Sequence, residues 1–517
     1  MEWYYYLAAG LITFWFFLLR PRGGGKDSPP LVTASTVVRL PLVGVIAEFL
    51  KNPNEMMKRC YKDYGQVFTI PVSSLPSIGP SELFSVFVFA PKYTTTANPH
   101  LPIIFLLQIF HKRITFLIGP EAQSLFFKSG DDVLSQDECY HFMQAVFGPG
   151  VVYDAPRKKR QMQFQTMANG LRTSRMKTYV AKIQDETEKY LDENFSGDSG
   201  TVDLYKALSE LTILTASRCL HGEDVREHMF ADLQALYHDL DEGLTPLTVL
   251  WSQAPTKRHA RRNEARKELV QLFGKVIKER RENPERSDGT DILSLFMDMK
   301  YKDGTLVTEE EVTGLLIALL FAGQHTSCVT STWTMLLLLH NPKVLERVME
   351  EQKQFGSKDV LELDDVQQMS LLHNCMREAL RMCPTFIMLL RQVMKDTTVT
   401  VNGKTFHIPK DDLVAVSPTV SMRLDSTFKD ANTFDPDRYL PPREEHKTPY
   451  AYLGFGGGMH SCMGQIFAYV QVKTILSIIL KRYELTPEAS KLPDIGYNDM
   501  VVGPKGNCNV HYKKVTV

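Results

Sequence analysis

A chain of 517 residues carrying 59 lysines and arginines against 60 aspartates and glutamates, for a formal net charge of -1, has room for two or three average domains or for one large enzyme around a cofactor. Balanced charge and the lack of a lysine- or arginine-rich tail argue against a nucleic-acid binder, so no nucleic-acid partner is expected. Eight cysteines without a CxxC pair or a regular spacing fit neither a disulfide framework nor a zinc site, and they indicate a reducing compartment.

The first element is the apolar and aromatic run Trp3 to Leu19, followed by Arg20, Arg22 and Lys26. It reads as a single-pass membrane anchor over residues 1–22, whose basic flank keeps the rest of the chain cytosolic. A cleaved signal peptide is the competing reading, but no basic residue precedes the run and no A-x-A site follows it. Residues 23–40, with Gly23-Gly24-Gly25 and Pro29-Pro30, form a linker, and 41–517 form the main body of the chain. Pro41 to Tyr64 contains a short helical pattern, Val67 to Ile70 alternates like a strand, and His111 to Ile118 is a second strand ending in Gly119-Pro120. Between these strands, Pro71 to Phe110 has no clean period, which is anomalous inside a compact domain. This stretch (71–110) reads either as a genuine loop or as retained intronic sequence, and in the latter case transcripts lack most of residues 73–110.

From Asp137 the pattern is mainly helical, with amphipathic segments at Thr173 to Asn194, Leu204 to His221 and Lys257 to Arg281. The longest helix runs from Thr308 to His340, opened by a Thr308/Glu311 capping box and closed by His340-Asn341-Pro342. It spans about 45 Å and is apolar nearly all round from Leu315 to Phe321, as a central buried helix is. Within it, Ala322-Gly323-Gln324-His325-Thr326-Ser327 puts glycine and polar side chains where apolar ones would continue. The expectation is a local kink and a groove for a small ligand and water, with His325 and Thr326 as proton donors to what lies there.

A further helix is expected over Asp364 to Met382, carrying Glu378 and Arg381 at i and i+3 among apolar neighbours. A buried pair needs more partners, and Arg438 in Phe434-Asp435-Pro436-Asp437-Arg438-Tyr439 can supply one, so the three read as a structural triad. Small sheets are expected near Val67 to Ile118, Ile387 to Val416 and Val501 to Tyr512, and a last helix over Gln465 to Lys481. The fold class is therefore mainly α with small β-sheets. Before that last helix comes Phe455-Gly456-Gly457-Gly458-Met459-His460-Ser461-Cys462-Met463-Gly464, which reads as a haem-thiolate loop with Cys462 as the iron ligand. Gly456, Gly457 and Gly458 let backbone approach a flat macrocycle beside Phe455, and Gly464 lets the chain turn. The other seven cysteines read as small buried apolar residues.

Together, the cysteine loop, Glu378-x-x-Arg381, Phe434-x-Pro436-x-Arg438 and the Ala322-Gly323-x-x-Thr326 helix resemble the cytochrome P450 superfamily over nearly the whole chain after residue 40. Phe321-Ala322-Gly323-Gln324-His325-Thr326-Ser327, together with Tyr140-His141-Phe142 and Phe147-Gly148 to Val151-Val152-Tyr153-Asp154, resembles the sterol 14α-demethylases, with Phe142 pointing to the plant, obtusifoliol-using type. The resemblance implies a cytochrome P450 fold with haem b on Cys462 and the haem carboxylates held by Tyr140, Arg391, His460 and a basic residue among Arg157 to Arg160. It also implies a substrate site lined by Phe142, Phe147, Tyr153, Ala322, Phe386 and Met388. Three successive oxidations would then remove the 14α-methyl of a sterol, with electrons from NADPH through a membrane-bound cytochrome P450 reductase in the endoplasmic reticulum. Arg157 to Arg160, Lys473 and Lys481-Arg482 would form its basic docking face. Met459 departs from the family's usual arginine, Cys383 and Thr385 from its His and Pro, and Phe386 from a smaller aliphatic residue. These departures leave open a hydroxylase or epoxidase of another triterpenoid, and the anomalous insertion leaves open a haem- or sterol-binding protein without turnover.

Overall fold

The structure, a computed structural model, describes residues 27–32, 48–49, 51–71, 113–228, 230–244, 248, 251–355, 358, 360–497 and 501–515. The expected anchor over 1–22, most of the linker over 23–40 and the anomalous stretch from residue 72 to 110 lie outside those residues. Two compact units are formed, one from the residues up to Cys139 with Met388–Ser421, the other from Tyr140–Ile387 with Met422–Val517.

In the first unit, helix α1 (Pro53–Tyr64) starts where Asn52 Oδ1 accepts the Glu55 N–H at 3.1 Å and Pro53 supplies a preset φ. It ends at Gly65, whose φ of +83° is open to glycine at little cost. Its buried face is Met56, Met57 and Cys60. The strands are β1 (Val67–Pro71), β2 (Arg113–Leu117), β3 (Leu134–Ser135), β4 (Leu389–Val393), β5 (Thr397–Val401), β6 (Lys404–Ile408) and β7 (Leu413–Val416). Five of them form one sheet in the order β1-β2-β7-β4-β3, and β5 and β6 form a hairpin closed by Asn402-Gly403, both at positive φ. Helix α2 (Pro120–Lys128) follows β2 directly.

The two sheets expected near Val67 to Ile118 and near Ile387 to Val416 are thus one. β2 and β7 pair in parallel, Ile114 opposite Leu413 and Leu117 opposite Val416, across nearly three hundred residues. Strand periodicity shows which face is buried but not which strand lies alongside, and parallel neighbours are always joined by a long crossover. β1 and β2 are antiparallel, with Phe68 stacked on Phe116 at 5.4 Å and the Thr69 and Thr115 hydroxyls 2.8 Å apart.

The second unit is helical. Its main helices are α3 (Arg157–Gly170), α4 (Thr173–Asn194), α5 (Leu204–Leu220), α6 (Phe230–Glu242), α7 (Lys257–Glu282), α8 (Glu309–Leu339), α9 (Pro342–Lys353), α10 (Ser370–Met382) and α11 (Gln465–Arg482). α8 is the centre, packed against α5, α7, α10 and α11. Its capping box is formed in both directions, Glu311 N–H to Thr308 Oγ1 at 3.2 Å and Thr308 N–H to Glu311 Oε2 at 3.0 Å. Among the described residues α8 is the one helix long and apolar enough to cross a membrane, and most of that stretch is buried in the protein. Asn509–Lys514 lies between Ser199–Asp203 and Tyr483–Pro487 in a three-stranded sheet, and Asp494–Gly496 pairs with Gly503–Lys505.

One expectation is corrected here. The helix expected over Asp364 to Met382 is two helices, Leu363–Gln368 and α10, separated at Met369 with ψ at 74°. The break is stabilised from outside the segment, because the Glu351 carboxylate on α9 accepts the N–H groups of Leu371 at 2.6 Å and Leu372 at 3.0 Å. α8 stays helical from Glu309 to Leu339, through the stretch Ala322 to Ser327 where a kink is expected. What opens there is the side-chain cover, since Ala322 is exposed and Phe321 and Gly323 to Thr326 are half-buried between fully buried runs.

Of the seven cysteines read as small apolar residues, six are buried and Cys139 is half-buried. Burial pushes the thiols of Cys219, Cys328 and Cys383 up to about 12, which keeps them protonated and inert.

Pro71 stands opposite Arg113 at the end of the β1–β2 ladder, a geometry that a tight two-residue turn can close. Replacing residues 72–112 by Asn-Gly is therefore expected to keep the sheet and to raise stability by about 2–3 kcal/mol through the shorter loop. The check is thermal unfolding of the purified variant; a lower unfolding temperature shows that the deleted residues are built into the unit.

Candidate active site at the Cys462 loop

The chain enters the cysteine loop from a segment held by one buried carboxylate. Glu378 on α10 accepts from Arg381 Nε and Nη2, both at 2.8 Å, from Arg438 Nε at 2.8 Å, from the Tyr439 hydroxyl at 3.1 Å and from the Asp435 N–H at 3.0 Å. All three charged side chains are fully buried. The remaining guanidinium donors are used as well. Arg381 reaches the carbonyls of Met422 at 2.9 Å and Ala431 at 2.7 Å, and Arg438 reaches the Lys429 carbonyl at 2.9 Å and Glu445 at 2.7 Å. Desolvating these charges is offset only because their hydrogen-bonding capacity is so fully used.

Beyond this hub the loop turns on two glycines. Gly456 and Gly458 have φ of +70° and +66°, a region closed to most side chains, while Gly457 is extended. The Cys462 N–H donates to the Phe455 carbonyl at 3.0 Å and closes the loop. Gly464 has ordinary φ and serves as the N-cap of α11, so the turn expected of it comes from the helix start. A Cβ at Gly464 would lie 3.7 Å from Cys462 Sγ. The sulfur therefore sits at the N-terminus of α11, where the Gly464 backbone N–H favours a thiolate. Desolvation is the larger influence and raises the thiol pKa, yet the side chain is exposed by area. A thiol that is reachable but crowded lines a recess. Behind it, the Phe455 ring packs on Tyr469 at 5.0 Å and Tyr469 on His373 at 4.2 Å, with burial pushing His373 down to about 3.

On α8, the Thr326 hydroxyl donates to the Ala322 carbonyl at 2.5 Å, and a Cβ at Gly323 would meet nothing within 4 Å. His325 Nε2 lies 3.2 Å from Asp241 Oδ1 on α6, a carboxylate that is nearly half exposed. Asp241 was not a sequence candidate, and nothing in the run Leu240-Asp241-Glu242 signals a partner on another helix. Tyr140 stacks on Tyr153 at 5.3 Å and lies 6.5 Å from Phe142, and Phe147 is buried. Phe386 is 39% exposed and His460 is half-buried.

Two expected residues belong to the first unit. Arg391, in the middle of β4 and 2% exposed, donates to the carbonyls of Phe126 at 2.6 Å and Ser129 at 3.3 Å, with its guanidinium over the Phe126 ring. Met388, just before β4, is half-buried. The basic docking face is corrected in part. Lys473 is buried on α11, donates to the Val366 carbonyl and is pushed down to about 8 by desolvation, and Arg160 is buried too. Both lie at helix positions that turn inward, which a count of basic residues does not reveal.

The donor set suits an iron porphyrin. Among the described residues no group of three or more His, Cys, Asp or Glu side chains could hold a bare metal ion. A single sulfur at the head of a glycine loop suits a metal that arrives with its own ring nitrogens. The glycine side of the loop is bare, the nearest atom to a Cβ at Gly456 being the His460 carbonyl oxygen at 3.9 Å.

The family described as Cytochrome P450 matches residues 92–510. The chain is 42% identical to "Sterol 14-demethylase" of Arabidopsis thaliana over 95% of its own length and 92% of that protein. It is 41% identical to "Obtusifoliol 14-alpha demethylase" of Sorghum bicolor over 96% of its length and 92% of the relative, and 34% identical to "Lanosterol 14-alpha demethylase" of Homo sapiens over 95% and 87%. Among solved structures, "Retinoic acid bound cyanobacterial CYP120A1" superposes with a TM-score of 0.75 over 95% of this chain and 100% of that one, at 20% identity, a likeness of fold alone.

Glu378→Ala leaves two fully buried guanidinium groups without their shared carboxylate. A loss of about 3–5 kcal/mol is expected, seen as a fall in the haem-to-protein ratio and in unfolding temperature. Glu378→Asp is expected to retain part of both.

Proposed function

The chain belongs to the cytochrome P450 family, and from that membership we propose that it is a monooxygenase of the sterol 14α-demethylase type acting on a plant sterol such as obtusifoliol. The observation that carries the reading is the near-full-length likeness to the two plant demethylases. Three successive oxidations convert the 14α-methyl to alcohol, to aldehyde and then to formate with a new C14–C15 double bond, each consuming O2 and two electrons delivered from NADPH through a reductase. In this reading haem b would be held through Cys462, with Phe455, Gly456, Tyr140, Arg391 and His460 as the further residues that would bind it. When bound, it supplies oxygen activation, because electron density from the thiolate favours O–O cleavage.

The remaining roles belong to side chains of this chain. Asp241 is open to solvent and close enough to His325 to exchange a proton with it, which carries protons from the surface to the uncovered stretch of α8. Thr326 is the next hydroxyl on that stretch. To hand a proton on, it releases the Ala322 carbonyl, a bond on the open side of the helix. Phe142, Phe147, Tyr153, Ala322, Phe386 and Met388 are the residues that would line the site of a rigid fused-ring substrate, and the stack of Tyr153 on Tyr140 supports the aromatic part of it. Arg157, Lys158 and Lys481 are the exposed basic residues that remain to meet a reductase. The apolar N-terminal run and its basic flank support a single-pass membrane anchor with the catalytic body cytosolic, and the reading places that membrane in the endoplasmic reticulum by likeness to the family.

Reconstitution with NADPH and its reductase, offering obtusifoliol beside a pentacyclic triterpene, is expected to release formate from the sterol. Oxygen added only to the pentacyclic substrate overturns the assignment in favour of a triterpenoid hydroxylase, and an absent thiolate-type Soret band in the ferrous carbon monoxide complex favours a protein without turnover. His325→Ala and Asp241→Asn are each expected to slow turnover ten-fold or more while keeping that band. Unchanged turnover in both removes the proton role.

A further inference from the structure

The segment from Gly148 to Asp154 is wound unusually tightly. Gly148, Gly150 and Val152 have φ of +98°, +71° and +49° within five residues. The first two positions cost glycine little, but Val152 is β-branched and buried, and such a residue at positive φ is an outlier that the surroundings must impose.

Gln163 on α3 imposes it. Its side chain is fully buried and uses both ends of the amide: Oε1 accepts the Val152 N–H at 3.1 Å, while Nε2 donates to the Gly150 carbonyl at 2.9 Å and to the Tyr301 hydroxyl at 3.2 Å. The Val152 N–H can only donate and the Gly150 carbonyl can only accept, so the amide has one orientation. Asp154 Oδ2 takes the Gly150 N–H at 2.7 Å from the other side. Lys159 Nζ lies 4.6 Å over the Tyr301 ring and donates to Glu311, the residue that closes the capping box of α8. α8 also presses on the segment directly, since a Cβ at Gly314 would lie 2.2 Å from the Phe147 carbonyl oxygen. The strained turn is therefore tied to the N-terminal half of the helix that carries His325 and Thr326, and the residue after Val152 is Tyr153, stacked on Tyr140.

We propose that Gln163 is a positioning residue for substrate selectivity: by clamping Gly150 and Val152 it fixes the Tyr153–Tyr140 stack, and with it the room available to a sterol, without itself touching the substrate. The proposal rests on the sterol reading above. A wall held in one strained conformation discriminates between ring systems that differ by a methyl group; a relaxed wall adapts to both.

The test uses the full-length holoenzyme with Gln163→Met, which keeps side-chain volume and removes all three hydrogen bonds. Spectral titrations compare obtusifoliol with a sterol carrying two methyls at C4, and hydrogen exchange follows residues 148–155. The expected result is at least a five-fold narrowing of the affinity ratio and at least ten-fold faster exchange at the Val152 amide, with kcat on the better sterol within two-fold and the thiolate band unchanged. An unchanged ratio, or equal weakening toward both sterols, overturns the proposal. Should Gln163→Met yield no holoenzyme, Tyr301→Phe removes only the outer link, and a smaller narrowing in the same direction is required of it. A wild-type enzyme with no spectral response to either sterol refutes the sterol reading instead, and the clamp then stands or falls on the exchange rate of the Val152 amide.

Discussion

Two guanidinium groups and one carboxylate, all without solvent contact, hold the catalytic unit in register. Glu378 is the shared acceptor for Arg381, one turn along its own helix, and for Arg438, on the segment that runs toward the cysteine. Because every member is buried, removing one strands the others in a medium where an unpaired charge is untenable. That stringency positions the ligand loop: the polypeptide between Met422 and Tyr439 is bound to α10 through carbonyls that the two arginines need. The approach to the cysteine loop thus depends on a buried polar contact made well before the loop begins.

Around this hub the unit separates rigid from open surface within single elements. α8 is buried on all sides before and after the stretch Phe321 to Thr326 but uncovered along it. Its backbone stays helical because the hydrogen-bond ladder needs no break: glycine removes the side chain, and Thr326 returns its hydroxyl to the Ala322 carbonyl. The opening coincides with a glycine and with small or polar side chains on a continuous helix. The same economy appears at Gly148 to Val152, where backbone strain is confined to a few residues and is held by the buried amide of Gln163.

Local signals in the sequence were read correctly where the physics is local. The Thr308/Glu311 capping box and the ends of the helices near Thr173–Asn194 and Lys257–Glu282 each depend on residues within a few positions of one another. The break at Met369 was missed because its compensation comes from Glu351, on a different helix. Lys473 and Arg160 looked like surface cations because charge usually means exposure, and only packing shows that both turn inward. Asp241 carried no signal at all, since a solvent-exposed aspartate on an amphipathic helix is the commonest of surface residues.

Taken alone, the amino-acid sequence carried the helix-rich class through its periodicity, the triad through a buried pair that needs a third partner, and the family through the resemblance of its motifs. Tertiary structure decided the rest: that β2 and β7 are parallel neighbours, that His325 meets Asp241, and that Gln163 holds Val152 at positive φ. Each of these joins residues from separate elements, and the distance between such residues is set by how the elements pack, a quantity that no periodicity within either one encodes.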